Sequence, residues 1–182
     1  MSERIGTDPA TVDAAVRLLN TTLGDGLYSH DGLLELDAYE QGLGLKATID
    51  GTLVGVSVAQ ILTPEDMDYY DVFGPTAHER LKGRTATSLE AVAVEPTHRG
   101  NGIGRALLQD SMDWAVDRGC REHVAISWLG EPTNPSWPLF EKLGFAAFGE
   151  SDEIYTRDSI ENGWSCPIDG NPCHCSGRLY VK

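Results

Sequence analysis

The stretch Leu89-Glu90-Ala91-Val92-Ala93-Val94-Glu95-Pro96-Thr97-His98-Arg99-Gly100-Asn101-Gly102-Ile103-Gly104-Arg105-Ala106-Leu107-Leu108 decides the fold. An apolar strand over Ser88–Val94 runs into a glycine-rich turn and then a helix, along which Ile103, Leu107, Leu108, Met112 and Ala115 share one side. Successive backbone N–H groups and the positive helix end then converge on one point, an arrangement that suits a pyrophosphate. Gly100, Gly102 and Gly104 permit close approach of a ligand and unusual backbone angles, and the fixed charge of Arg99 strengthens the field. No Gly-Lys-Ser/Thr follows, so this is not a Walker-type loop, and the glycine spacing departs from a dinucleotide fingerprint.

Working outward, Thr7 or Asp8 caps a helix over about residues 9 to 22, with Pro9 in its first turn and Val12, Val16 and Leu19 at helical spacing. A short second helix is expected around Leu33–Tyr39. Leu45–Ile49 and Leu53–Leu62 alternate as strands about an Asp50-Gly51 turn, a hairpin signal. Residues 63–84 show no sustained period and read as a functional loop, with a helical piece around Thr76–Leu81. After the central helix, closed by Gly119, come a strand His123–Leu129, a short helix Trp137–Leu143, and strands Phe145–Phe148 and Leu179–Val181.

The chain has 182 residues, enough for one domain, with a Cys-rich insertion at about 162–177 in the last hairpin. It carries 28 acidic against 14 basic residues, a formal charge of −14, which argues against binding nucleic acid through a basic surface. The acids favour Asp while Lys is confined to Lys46, Lys82, Lys142 and Lys182, a bias that resembles proteins of salt-loving archaea. No apolar run is long enough to cross a bilayer, and Met1–Gly6 lacks the features of a signal peptide, so the expected location is cytoplasmic, away from membranes.

At the glycine loop the chain resembles the GCN5-related N-acetyltransferase (GNAT) superfamily. Arg99, Gly102 and Gly104, with Val94 and Pro96 upstream, match its Arg/Gln-x-x-Gly-x-Gly/Ala signature. Asn134-Pro135-Ser136-Trp137-Pro138-Leu139-Phe140-Glu141-Lys142-Leu143-Gly144-Phe145 looks like its later motif, in the family's order and separation. The resemblance implies an α/β (α+β) fold, with a mixed, mostly antiparallel sheet that splays between two parallel strands and is flanked by helices. Acetyl-CoA would lie in the splay, its pantetheine arm along Val92, Ala93 and Val94. Its pyrophosphate would rest on Arg99, Gly100, Asn101, Gly102, Ile103, Gly104 and Arg105, with Asn134 and Phe140 beside it. The expected activity is direct transfer of an acetyl group to a primary amine, on a small molecule or a protein. Dimerisation is common in the family, so a homodimer is a further expectation that no single residue carries.

Acetyl transfer requires a neutral amine, a polarised thioester and a proton for the departing thiolate, but no protein nucleophile, so Cys120 is not a candidate. The tyrosine that usually supplies that proton is Phe140 here, so either Tyr155, Ser136 or a water replaces it or CoA leaves ionised. Asn134 is also one residue closer to that position than in the usual pattern, which sets Thr133 beside it as a cofactor contact. Glu90 is the candidate base, equally readable as an ordinary strand carboxylate; His123 is weaker and reads better as a surface histidine, as does His98. Tyr69, Tyr70 and Phe73 with Asp66, Asp68 and Asp71 either wall a cationic acceptor or are simply solvated.

Cys166, Cys173, His174 and Cys175 crowd one loop rich in turn formers, a donor set that favours a structural zinc, with free thiols and a redox pair as the other readings. Because His174 sits between two cysteines, Asp169, Cys120, a water or another chain could be the fourth ligand. Two further functional classes remain: a non-catalytic acyl-CoA-binding or regulatory module, and a zinc-organised interaction protein.

Overall fold

The structure, a computed structural model, describes residues 2–129 and 136–182. Fifteen elements follow in order. They are β1 (Glu3–Arg4), α1 (Pro9–Leu23), α2 (His30–Ala38), β2 (Gly42–Ile49), β3 (Thr52–Leu62), a 3-10 stretch Pro64–Phe73, α3 (Pro75–Leu81) and β4 (Ala86–Val94). After a 3-10 turn at Pro96–His98 come α4 (Ile103–Asp117), β5 (Glu122–Trp128), α5 (Trp137–Lys142), β6 (Ala146–Ser151), α6 (Thr156–Asn162) and β7 (Gly177–Val181). The strands form one sheet in the order β1-β2-β3-β4-β5-β7-β6. Every neighbouring pair is antiparallel except β4 and β5, as expected of the mixed sheet.

Local chemistry explains the element boundaries. Asp8 is the cap of α1, its carboxylate accepting from the Thr11 N–H at 2.9 Å, with Pro9 at the first helical position. Helix α2 starts at His30, three residues before the expected Leu33, because the Ser29 hydroxyl accepts from the Gly32 N–H and makes that glycine part of the first turn. Asp50 and Gly51 both have positive φ (50° and 77°), the geometry of the tight β2–β3 hairpin. The 63–84 segment is more ordered than expected. Thr63 and Asp66 form a reciprocal cap, and Met67, Tyr70 and Phe73, three residues apart, turn one buried face inward, as the 3-10 period demands.

The sheet is covered on both faces. Val12, Ala15, Leu18 and Leu19 of α1 pack with Val56, Val58, Ala91 and Ala93 on one side. Leu107, Leu108 and Met112 of α4 pack with Leu43, Ala59, Leu89, Phe140 and Tyr180 on the other. The Pro64–Phe73 stretch and α3 add a third cluster against Val124, Leu179 and Val181.

Leu89 and Ala91 belong to opposite faces although they are two residues apart. In a regular strand they would share one face. The register explains the exchange: Val58 pairs with Ala91 and Ala59 with Leu89, so Glu90 has no partner on β3 and forms a β-bulge.

Because α4 fixes the loop before it, its buried side should dominate stability. Leu107→Ala is expected to lower the free energy of unfolding by about 2–5 kcal/mol, against about 0.5 kcal/mol or less for Val116→Ala on the outer side of the same helix. Urea denaturation of both variants checks this.

Candidate active site

Strands β4 and β5 pair only at Ala86–Glu122, Thr87–His123 and Ser88–Val124. Beyond Ser88, β4 continues to Val94 and β5 to Trp128 with no ladder between them. The sheet therefore splays where the bulge at Glu90 bends β4 away. At the far end of β4 the chain enters the glycine loop. Gly100 and Gly102 have φ of 78° and 81°, a region that side-chain-bearing residues rarely adopt. Gly102 is the N-cap of α4 and no side chain caps that helix, so the N–H groups of Ile103, Gly104 and Arg105 open outward unpaired within the helix.

Gly104 differs from the expectation of an unusual backbone. Its φ is not positive, and an added Cβ would lie at 3.5 Å from Leu139 and 3.6 Å from Val92 and Val94, ordinary contact distances. It marks instead where the first turn of α4 rests on the end of β4. Two side chains hold the loop. The Arg99 Nε donates to the Val94 carbonyl at 2.8 Å, and the Asn101 amide donates to the His98 carbonyl at 3.1 Å. Asn101 is thus committed to bracing the loop, and Arg99 is pinned beside it. Ala93 turns its methyl into the α1 core, so its side chain is withdrawn from the splay.

A cleft of about 490 Å³ opens at the splay, lined by Ser88, Leu89 and Glu90 of β4, Ile126 of β5, Tyr69 and Tyr70, Glu65, Asp66 and Tyr155. Glu90 lines this cleft and keeps part of its side chain exposed; desolvation by the surrounding walls pushes its carboxyl above the ordinary carboxylate range, and a hydrogen bond from Ser88 opposes the shift. Tyr155 stands at the start of α6, edge-on to Trp128 (6.2 Å between ring centroids) and Trp164 (6.3 Å). Burial, reinforced by Tyr69 and Glu90, raises its phenol far above the usual value and keeps it protonated. Tyr70 is held from behind, its hydroxyl 3.2 Å from the Ser88 hydroxyl. A larger recess of about 640 Å³ lies between α1 and Ser165–Pro167, but it includes neither the glycine loop nor Glu90.

Several expectations need correction. Phe140 lies in the core, 3% exposed, its ring 5.6 Å from both Phe145 and Tyr180, because the apolar side of α5 has to cover the sheet there. His123 is not a surface residue. It is 5% exposed, burial and Lys182 lower its pKa, and it sits outside the cleft. The aromatic and acidic wall divides: Tyr69, Tyr70 and Asp66 reach the cleft, Phe73 is buried, and Asp71 pairs with His78 at 2.7 Å. Cys120 is a buried thiol receiving the Thr87 hydroxyl at 3.2 Å, remote from the other cysteines. His174, expected among the metal ligands, turns outward to Glu153, 3.3 Å away, and Asp169, one of the alternatives to it, lies beside the three clustered thiols. Asn134 and Thr133 fall outside the described residues. Ser136 is engaged with the Ser127 hydroxyl at 3.0 Å.

Residues 14–145 match the model of the Acetyltransferase (GNAT) family. The chain belongs to this family. It is 38% identical over 157 residues to a streptothricin acetyltransferase of Streptomyces lavendulae, covering 75% of this chain and 80% of that protein. It is 37% identical over 65 residues to a glucosamine 6-phosphate N-acetyltransferase of Trypanosoma brucei brucei, 36% of this chain and 41% of that protein. Among solved structures, Arabidopsis thaliana NAA60 in complex with acetyl-CoA aligns with a TM-score of 0.72 at 15% identity, over 100% of this chain and 97% of that one, a likeness of fold. No helix among the described residues is long and apolar enough to cross a membrane.

The elevated Glu90 pKa has a consequence for folding. The folded state holds this proton more tightly than the unfolded chain does. Folding therefore takes up a proton between the ordinary value of 4.5 and the raised one, and stability falls as pH rises through that interval. Glu90→Gln should be more stable than the parent near neutral pH, with the difference closing as pH drops below the ordinary carboxylate value. Urea unfolding across pH measures it, and a wild type unaffected in that interval would contradict it.

Proposed function

We propose that this acetyltransferase moves the acetyl group of acetyl-CoA to the primary amine of a small cationic acceptor, with Glu90 as base and Tyr155 as acid. The observation that carries the proposal is the meeting of these two groups, from distant parts of the chain, in one cleft at the splay of β4 and β5. The anion-binding end lies further along the same strand, at Arg99–Arg105, with Val92, Ala93 and Val94 offering backbone between the two. The entire span of residues 1–182 is read as one acetyltransferase domain carrying the Cys-rich insertion. The acid-rich chain, at −14, suits a saline cytoplasm.

The chemistry follows from the environments. An amine arrives as its ammonium ion and gives one proton to Glu90. The raised pKa makes this carboxylate a stronger acceptor than an ordinary one. The free amine adds to the thioester carbonyl carbon. The C–S bond breaks as the amide forms, and Tyr155 gives its proton to the departing sulfur as it takes the second amine proton, a concerted relay that never leaves the tightly held phenol ionised. The proton on Glu90 then leaves to bulk, so one proton is released per turnover. Phe140 is no mark of a lost activity in this account, since its ring packs in the core and a different phenol stands in the cleft.

Charge selects the acceptor class. Glu65, Asp66 and Glu90 with the Tyr69 ring favour a cation. The relative named for streptothricin supports a small-molecule amine over a protein.

Calorimetric titration should give saturable acetyl-CoA binding, weakened about 10–100-fold in Arg99→Ala. With an accepted amine, Tyr155→Phe should lower kcat about 10²–10⁴-fold at unchanged KM. The acid limb of kcat/KM should lie above the ordinary carboxylate value and vanish in Glu90→Gln. Wild-type activity with a limb at that ordinary value, or full activity in both variants, would overturn the residue assignments.

A further inference from the structure

The loop between β6 and β7 gathers a second group of reactive side chains. The Sγ atoms of Cys166, Cys173 and Cys175 and a carboxylate oxygen of Asp169 all lie within 4.8 Å of one another. We propose that these four residues form a tetrahedral zinc site that braces the Tyr155 side of the cleft.

The distances carry the argument. Zinc–sulfur bonds of about 2.3 Å at tetrahedral angles set sulfurs about 3.8 Å apart, and a zinc–oxygen bond of about 2.0 Å sets oxygen about 3.5 Å from sulfur. Cys166 Sγ and Cys175 Sγ are 3.7 Å apart, and Cys175 Sγ is 3.3 Å from Asp169 Oδ2. Backbone donors already face these atoms. The N–H groups of Ile168 and Asp169 each donate to Cys166 Sγ at 3.3 Å, and the N–H of His174 donates to Asp169 Oδ2 at 3.0 Å. Such donors stabilise thiolate and carboxylate and fix their orientation, the role of outer groups around a metal. The turn is closed by a reciprocal backbone pair between Cys166 and Gly170, at 2.9 and 3.0 Å.

All three cysteines are unpaired and buried, while Asp169 is exposed and gives an ion its entry path. Three thiolates in a small tetrahedral cage select zinc over hard divalent cations, and its binding releases the thiol protons without any redox step. The cysteines pack with Trp164 and against Trp128 and Tyr155. The link to Tyr155 is direct, since the next residue, Thr156, donates its hydroxyl to the Cys173 carbonyl at 2.6 Å, and the Ser159 hydroxyl accepts from the Cys173 N–H at 2.9 Å. The site stands independently of the acetyl-transfer reading, whereas its effect on the cleft rests on that reading.

Elemental analysis of chelator-free protein should find about one zinc per chain. Cobalt-substituted protein should show tetrahedral d–d bands and thiolate-to-metal charge transfer. Cys175→Ser should lose the metal, Asp169→Asn should release it to a chelator faster than wild type, and His174→Ala should retain it. If Cys175→Ser fails to fold, stripping the wild type must itself lower Tm and alter the near-ultraviolet circular dichroism of Trp128, Trp164 and Tyr155. Metal-free wild type with three freely titrating thiols, a Cys166–Cys175 disulfide in the reduced-state preparation, or metal loss in His174→Ala alone would overturn the site. Acetyl-CoA titration of the same samples separates the two readings: zinc without acetyl-CoA binding would sink acetyl transfer and leave the metal site standing.

Discussion

Strand β4 has two neighbours with incompatible demands, and the site arises from how it meets them. Toward β3 it is held by an antiparallel ladder along almost its whole length, interrupted once at Glu90. Toward β5 it keeps only three residue pairs and then departs. A regular β4 would place Leu89 and Ala91 on one face, leaving one core cluster without its side chain. The bulge lets Leu89 pack under α4 and Ala91 under α1, and it turns the extra residue into the opening. Fold stability and placement of a carboxylate in the cleft are thus consequences of the same extra residue.

Much of this was legible because it depends on local signals. The strand, glycine loop and central helix follow from spacing and from residues whose conformations are restricted, and the Asp50-Gly51 turn likewise fixes β2 against β3. The bulge was not legible. It is a mismatch between two strands, visible only once Val58 and Ala59 are placed opposite Ala91 and Leu89. Helix α6 escaped for another reason: of its seven residues only Ser159 is buried, so it has no apolar period to read. The 3-10 stretch did carry a signal, in Thr63-x-x-Asp66 and the three-residue spacing of Met67, Tyr70 and Phe73, which a search for helical and strand periods passes over.

The cysteine loop shows how far spacing can lead. Three thiols and an imidazole within ten positions suggest a donor set, but consecutive residues cannot all turn inward. With Cys173 and Cys175 directed to the same point, His174 between them is directed away, and it meets Glu153. The carboxylate of Asp169, brought back by the Cys166–Gly170 turn, fills the space. Identity of the ligands is a sequence question, but their direction is set by the turn.

Electrostatics gives the site a polarity that matches its two proposed substrates. One end combines unpaired N–H groups at the start of α4 with Arg99, a place for an anion. The other collects Glu65, Asp66 and Glu90 around aromatic rings, a place for a cation. Between Glu90 and Val94, β4 spans roughly 13 Å of extended chain, so the strand separates the two ends by a fixed length. A ligand that binds its phosphates at the loop and runs along β4 must deliver its far end to Glu90. Negative charge spread over the whole chain would be screened within about 10 Å at moderate salt and far less distance in brine. The carboxylates that line the recess act at contact distance, inside the screening length, so in salt they, and not the net charge of −14, are what a bound cation would meet.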